Sequence, residues 1–261
     1  MDVVLEQIDR SAAPAAGASE KTLRVLTAAL EHPRFTDIVA EAGLAKATVH
    51  RILATLVEQD FVAGDADAGY RAGPSLLALA GRALASVDIS SIAGPIVADL
   101  VARVDCTVHV GVATDAEMVY VIREDASKPY RMRSRVGLGI PMHCSGMGKA
   151  VIATWSPDRV DRLVAREGLP ARTALTLTTP EALHEELARV AARGYAMDLG
   201  ENEVGTVCVS AAIRDHTGEA RYGLSISSIA LEHPGTSIEE LAPAAVAAAE
   251  QISRLLGAPA A

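Results

Sequence analysis

At 261 residues, half of them hydrophobic, the chain has enough material for two packed domains. A net charge of -9 excludes a grip on nucleic acid by basic excess over the whole protein, and no apolar run approaches the roughly 20 residues needed to span a bilayer. Three widely spaced cysteines, Cys106, Cys144 and Cys208, make no CxxC pair or disulfide framework, and the first ten residues lack a basic-then-apolar order, so a reducing, cytoplasmic setting is expected.

In chain order, residues 11–19 (SAAPAAGAS) are low in complexity and read as the end of a disordered lead-in. Residues 20–30 set Leu23, Leu26 and Leu30 on one helical stripe behind a Ser19 cap, and His32-Pro33 stops the helix. The stretch FTDIVAEAGLAKATVHRILATL, residues 35–56, then reads as a helix-turn-helix. Ile38, Val39 and Ala42 form a short stripe behind a Thr36 cap, and Gly43 supplies the positive φ of the turn. In the second run Val49, Ile52, Leu53 and Leu56 fall at i, i+3, i+4 and i+7 and face a core. That leaves Lys46, Ala47, Thr48, His50 and Arg51 on the other face: a phosphate-binding cation, small side chains that permit close approach, and hydrogen-bonding groups, with no acid among them. The bland alternative is a helical hairpin whose polar face is merely solvated.

Two short β-like pieces around Phe61-Val62 and Tyr70-Arg71 enclose a Gly64-to-Gly69 loop and predict a wing. Asp65 and Asp67 would repel phosphate there, so Arg71 is the better contact candidate beside the reading of an idle surface arginine. Over residues 20–71, six Lys and Arg stand against eight Asp and Glu, a net of -2 that weighs against tight DNA binding. Residues 75–87 carry the helical pattern Leu76, Leu77, Ala80, Ala83, Leu84 and read as a connecting helix.

Beyond residue 89 the character changes. A helix with Ile92, Ile96, Leu100 and Val104, interrupted early by Gly94-Pro95, precedes β-rich pieces at 107–113, 118–123 and 130–136. Then follow a short helix near Lys149, helices at 157–166 and 180–193, strands at 207–213 and 222–228, and an amphipathic helix over 237–256. Strands with helices at both ends of the domain predict an α+β sheet rather than a doubly wound parallel one. Ser225 and Ser227 alternate with apolar neighbours and share a face, and Cys208 sits between two valines. Gly146 and Gly148 flank Met147 where a helix opens, so bare backbone N–H groups there favour an anionic ligand. Read alone, these are equally a core Cys, solvent-facing serines and a helix-entry Gly pair.

Three segments carry a resemblance: GLAKATVHRILATL from Gly43, PMHCSGMGKAVIA from Pro141, and GYAMDLGENEVGTVCVSAAI from Gly194, with Gly194, Asp198, Glu201, Cys208 and Ser210 in its spacing. From about Lys21 to Leu256 the chain resembles IclR-type transcriptional regulators. The resemblance implies an N-terminal winged helix-turn-helix over 19–74, after a lead-in at 1–18, then a linker helix over 75–88. A GAF/PAS-like α+β effector-binding domain over 89–257 completes the layout. It also implies a homodimer or homotetramer that binds a double-stranded operator, represses or activates a catabolic operon, and responds to a small metabolite, an organic acid on the reading above. No cofactor and no membrane partner are implied.

Carried over position by position, the effector site comprises Met132, Gly146, Met147, Asp198, Cys208 and Ser225, with Ser227 beside them. Asp198 fits a carboxylate only if it meets a ligand hydroxyl, orders a water or hydrogen-bonds to the loop. The sequence departs from the family pattern at Arg214, at Leu199-Gly200, at Ala45 as an N-cap, and at Pro129 and Thr206, so no member's ligand is transferred. With two Phe and one Trp in the chain, walls of aliphatic and Met side chains are expected. Two other classes were weighed. An enzyme would need Cys144 or Cys208 with His143 or His109, but no third orienting residue declares itself. GMGK is not a phosphate loop, because His143 replaces the first Gly and Ala150 the Ser/Thr. His143-Cys144 lacks paired zinc-ligand spacing. A sensor or scaffold that no longer binds DNA is the second alternative, favoured by the acidic first domain.

Overall fold

The computed structural model describes residues 17–65, 67–85 and 87–259, and most of the expected disordered lead-in lies outside them. The fold separates into two compact units that meet between Val87 and Asp88.

In the first unit α1 (Ala18–Glu31), α2 (Phe35–Ala42) and α3 (Lys46–Glu58) surround one small core, followed by β1 (Val62–Ala63), β2 (Arg71–Ala72) and α4 (Pro74–Ala85). The core face of α1 is not the leucine stripe. Leu23 and Leu30 are 64% and 47% exposed, and Val25, Ala28 and Ala29 are buried instead. Leu26 alone of the leucines packs against this core, from a half-buried position, and the i, i+3, i+4 set with its small alanines lets α2 and α3 approach closely. The expected caps also shift: α1 begins after Gly17 rather than Ser19, and α2 after Arg34 rather than Thr36. Gly43 ends α2 at φ +62°, a left-handed position that turns the chain into α3. The strands β1 and β2 pair antiparallel as a wing, tied to the α1–α2 turn by Tyr70 N–H donating to Pro33 C=O at 2.8 Å.

The second unit is a six-stranded antiparallel sheet. Its helices and strands are α5 (Ile89–Val104), β3 (Thr107–Ala113), β4 (Glu117–Glu124), β5 (Gly139–Pro141), α6 (Gly146–Ile152), α7 (Pro157–Glu167), α8 (Pro180–Arg193), β6 (Ala196–Leu199), β7 (Thr206–Arg214), β8 (Ala220–Ile229) and α9 (Ala242–Leu255). Spatial order in the sheet is β5-β4-β3-β8-β7-β6. One face presents Val108, Val110, Val207, Val209, Leu224 and Ile226 to a core with α5 and α9. Alternation sends His109, Cys208, Ser210, Ser225 and Ser227 to the opposite face, where α6 packs.

Several expectations change here. Gly94-Pro95 does not interrupt α5, which runs through Pro95. Residues 130–136 form no strand. Side chains anchor that segment instead: Tyr130 Oη donates to Glu232, and Arg123 donates to the Ser134 carbonyl. Sheet pairing resumes only where Tyr120 N–H reaches Leu138 C=O at 3.1 Å. The strand β6, four residues long, is too short to give a periodic pattern in the sequence. The closing helix is split into a 3-10 turn at Ser237–Leu241 and α9.

All seven residues of α6 are buried. Its approach depends on glycine: a Cβ on Gly146 would lie 2.4 Å from Ser210 Oγ, and one on Gly148 would lie 2.4 Å from the Met142 carbonyl oxygen. The second obstacle is backbone and cannot swing away. Gly148→Ala is therefore expected to destabilise this unit by about 1–3 kcal/mol through overpacking, read as a lower urea midpoint at unchanged slope.

Candidate nucleic-acid interface and effector cavity

On α3 the buried side is Val49, Leu53 and Leu56, while Lys46, Ala47, His50 and Arg51 are exposed and Thr48 is half-buried. Arg71 is exposed at the start of β2. Lys46, Arg51 and Arg71 have no side-chain hydrogen bond or ion pair among the described residues, so their charges are not already neutralised. The His50 ring lies edge-on to Phe35, 6.3 Å between centroids. Ala45 is the N-cap of α3 and makes no side-chain cap bond. A groove beside this face is lined by Lys21, Thr22, Thr48, Arg51 and Thr55, which adds a cation from α1 that the sequence did not single out. In the wing, Asp65 is a turn-former: its Oδ1 accepts from the N–H groups of Asp67 and Ala68 at 2.9 and 2.8 Å, and these bonds hold its carboxyl below the usual range.

In the second unit, Met132, Gly146, Met147, Asp198, Cys208, Ser225 and Ser227 all line one cavity of about 130 Å³. Strand register explains the gathering. Asp198 opposes Cys208, Cys208 opposes Ser227, and Ser210 opposes Ser225, which opposes His109. These side chains thus stand in two rows on one face, under the start of α6. The Ser225 and Ser227 hydroxyls lie 3.1 Å apart. Burial drives the His109 pKa down to about 3, so its ring is neutral and bridges Ser227 Oγ at 3.3 Å and Ser134 Oγ at 2.8 Å, one nitrogen donating and the other accepting.

Asp198, 2% exposed, has its Oδ1 occupied by the loop: the N–H groups of Gly200, Glu201 and Asn202 donate to it at 3.1, 2.7 and 3.3 Å. Of the three roles open to it from sequence, loop anchoring is the one the geometry contains. Burial raises its pKa to about 6, against the opposing pull of Lys149 and the three loop N–H groups. Glu201 is raised to about 7 by burial, although Lys149 Nζ donates to it. Cavity walls are supplied by Met132, Leu138, Ile140 and Met147 with the single aromatic Tyr120, in keeping with the low aromatic content. Thr206 also lines the cavity.

The description "Bacterial transcriptional regulator IclR C-terminal" matches residues 81–254, and "IclR helix-turn-helix domain" matches residues 20–66. The chain belongs to the IclR family of transcriptional regulators. It is 32% identical over 225 residues to the transcriptional repressor IclR of Escherichia coli (strain K12), covering 85% of this chain and 82% of that protein. Among solved structures it resembles Thermotoga maritima IclR, with a TM-score of 0.63 at 28% identity over 92% of this chain and 98% of the other. It also resembles the Agrobacterium tumefaciens repressor BlcR, with a TM-score of 0.69 at 28% identity over 92% and 96%.

As an IclR-family member it is a DNA-binding transcriptional regulator with a C-terminal effector-binding domain, and not an enzyme. The thiol–imidazole pairings considered from sequence at Cys144 and Cys208 are not formed. Burial pushes the Cys144 and Cys208 thiols up to about 12, and His143 and His109 bond to Pro170 and to serines rather than to either sulfur. Among the described residues no cluster of three or more His, Cys, Asp or Glu side chains is placed to hold a metal, and no single helix is long and apolar enough to cross a membrane.

Polar and aromatic cavity residues that the sequence does not mark include Tyr120, Arg133, Ser134, Arg172, Asn202 and Glu203. Arg133 and Ser134 adjoin Met132 and were reachable from it. Arg172 lies in an irregular segment with no periodic signal. Because three loop donors converge on Asp198, Asp198→Ala is expected to cost about 1–3 kcal/mol of stability by orphaning them, whereas Asp198→Asn, which keeps an acceptor oxygen, should cost less; chemical denaturation of the two variants distinguishes them.

Proposed function

We propose that this chain acts in the cytoplasm as a homodimer or homotetramer that represses or activates a catabolic operon in response to a small organic acid held in the 130 Å³ cavity. The observation that carries this reading is the convergence of these seven residues from separate segments on that one partly open cavity. Its size is close to the ~150 Å³ hole that admits a benzene-sized guest. Buried serine hydroxyls supply donors for a carboxylate or keto oxygen, and two arginines stand at its wall. Three free thiols fit a reducing compartment. Aromatic catabolites, keto acids and sugar acids are all compatible with this chemistry.

The functional division runs as a winged reader over 19–74, a connecting helix over 75–88 and an effector domain over 89–257. In a symmetric dimer, two copies of α3 enter successive major grooves of a pseudo-palindromic operator. Thr48, His50 and Arg51 read base edges, Ala47 permits close approach, and Lys46 and Arg71 hold phosphates, with Lys21 beside them. The uncapped first turn of α3 offers N–H groups to a phosphate. Effector binding shifts operator affinity only as far as the ligand prefers one domain arrangement over another.

Gel retardation on DNA from upstream of the gene, with and without a panel of small carboxylates, tests the whole reading. Arg51→Ala should abolish specific retardation and leave carboxylate binding intact. Ser225→Ala combined with Ser227→Ala should weaken carboxylate binding about tenfold or more and leave retardation without ligand intact. Equal loss of both activities in either variant contradicts the two-site picture. The raised Asp198 pKa sets a pH dependence. Above about 6 its carboxylate is charged and repels an anion, so carboxylate affinity should fall as pH rises through that value. Calorimetry across pH 5 to 8 should show this decline in the wild type and a flatter profile in Asp198→Asn, which leaves Glu201 and Lys149 in place.

A further inference from the structure

We infer that the effector is a dicarboxylate, gripped at its two ends by Arg133 and Arg172 over a floor of neutral hydroxyls. This rests on the proposal that the cavity is the effector site and narrows its ligand.

Both arginines line the cavity, at its exposed rim. Arg133 has no hydrogen bond or ion pair among the described residues. Arg172 uses only Nε, which donates to Asn202 C=O at 3.1 Å, so its two terminal nitrogens are uncommitted. Arg123 and Arg131 pair with Asp125, and Arg189 and Arg193 with Glu186; Arg135, Arg162 and Arg254 are also unpaired among the described residues, but Arg133 and Arg172 are the two arginines that line this cavity. Two unpaired forks on one small cavity are each suited to bidentate carboxylate recognition.

Their anchors lie on opposite sides of the floor. The segment bearing Arg133 is tied through Ser134 to His109 on β3, and Arg172 is tied to Asn202, just past the end of β6. Between β3 and β6 lie β8 and β7, which carry Ser225, Ser227 and Cys208. At ~4.8 Å per strand the two anchors are roughly 14 Å apart, so the two arginines stand on opposite rims of the cavity they both line. A monocarboxylate satisfies one fork and leaves the other facing its apolar tail. The floor cannot supply a second charge partner, because Ser225 and Ser227 are neutral and Cys208 is held as a thiol. Glu203 also lines the rim and opposes an anion, as does Asp198 above about pH 6, so the two guanidiniums hold the excess of charge below that pH, where Asp198 is protonated.

The test is isothermal calorimetry of the full chain at constant pH with malonate, succinate, glutarate and adipate, each against the monocarboxylate of equal chain length. One dicarboxylate should bind at least about tenfold tighter than its monocarboxylate counterpart. Arg133→Gln and Arg172→Gln should each erase that preference while the monocarboxylate stays within about threefold. Arg133→Lys and Arg172→Lys, which keep the charge without the fork, should retain part of it; a purely structural role for either arginine would not follow charge in this way. Monocarboxylates that bind as well as dicarboxylates, or a preference that survives both Gln variants, would overturn the inference and leave the carboxylate reading standing. Binding of no carboxylate at all would overturn both.

Discussion

The ammonium of Lys149, 1% exposed, is the constraint on which the effector-binding unit depends. It projects from the buried helix α6, donates to Glu201 in the loop after β6, and lies 3.8 Å from Glu186 on α8. Glu186 in turn pairs with Arg189 and Arg193. A buried pair of this kind adds little net stability, but removing one partner leaves a bare charge in a low-dielectric interior at a cost of about 3–5 kcal/mol. The arrangement therefore specifies position more than it stabilises. It locks the start of α6 over the sheet and holds the 200–202 loop where Asp198 can accept its N–H groups, and those two elements bound the cavity.

The sheet does the rest by division of labour between its faces. Valines, leucine and isoleucine on one face build the core with α5 and α9. On the other, most members of a polar row satisfy one another: serine to serine, serine to histidine, carboxylate to loop. Ser210 Oγ and Glu201 Oε2 are buried atoms without a hydrogen-bond partner among the described residues, and both lie at α6, where packing is tightest. A face built this way is rigid and polar at once, a suitable floor for a small ligand.

An acidic protein that binds DNA presents an apparent conflict, and local placement resolves it. The winged unit carries a net of -2 between residues 20 and 71, yet Lys46, Arg51 and Arg71 are unpaired. Asp65 is folded into the wing turn, which gives one of the two acidic wing residues a structural reason to be there. Sequence-independent attraction to DNA is expected to be weak and strongly salt-dependent, and in the proposed reading operator binding leans on contacts made by α3.

Local periodicity determined much of this protein. The two faces of α3, the left-handed Gly43, the wing, the α+β class and the strands β3, β7 and β8 follow from i, i+3, i+4 and i, i+2 patterns that a short window contains. Six of the seven residues proposed for the effector site follow only from family resemblance, and Ser227 from its neighbour; by spacing alone each is an ordinary core or surface residue. What only the tertiary structure decided is non-local. Two periodic stripes on α1 are separated by which one meets α2 and α3, and residues 130–136 lose strand character to side-chain anchors distant in sequence. Arg172 and Arg133 become neighbours of one cavity, and Asp198 becomes a loop anchor, because strand register and a buried ion pair bring together residues that no local pattern connects.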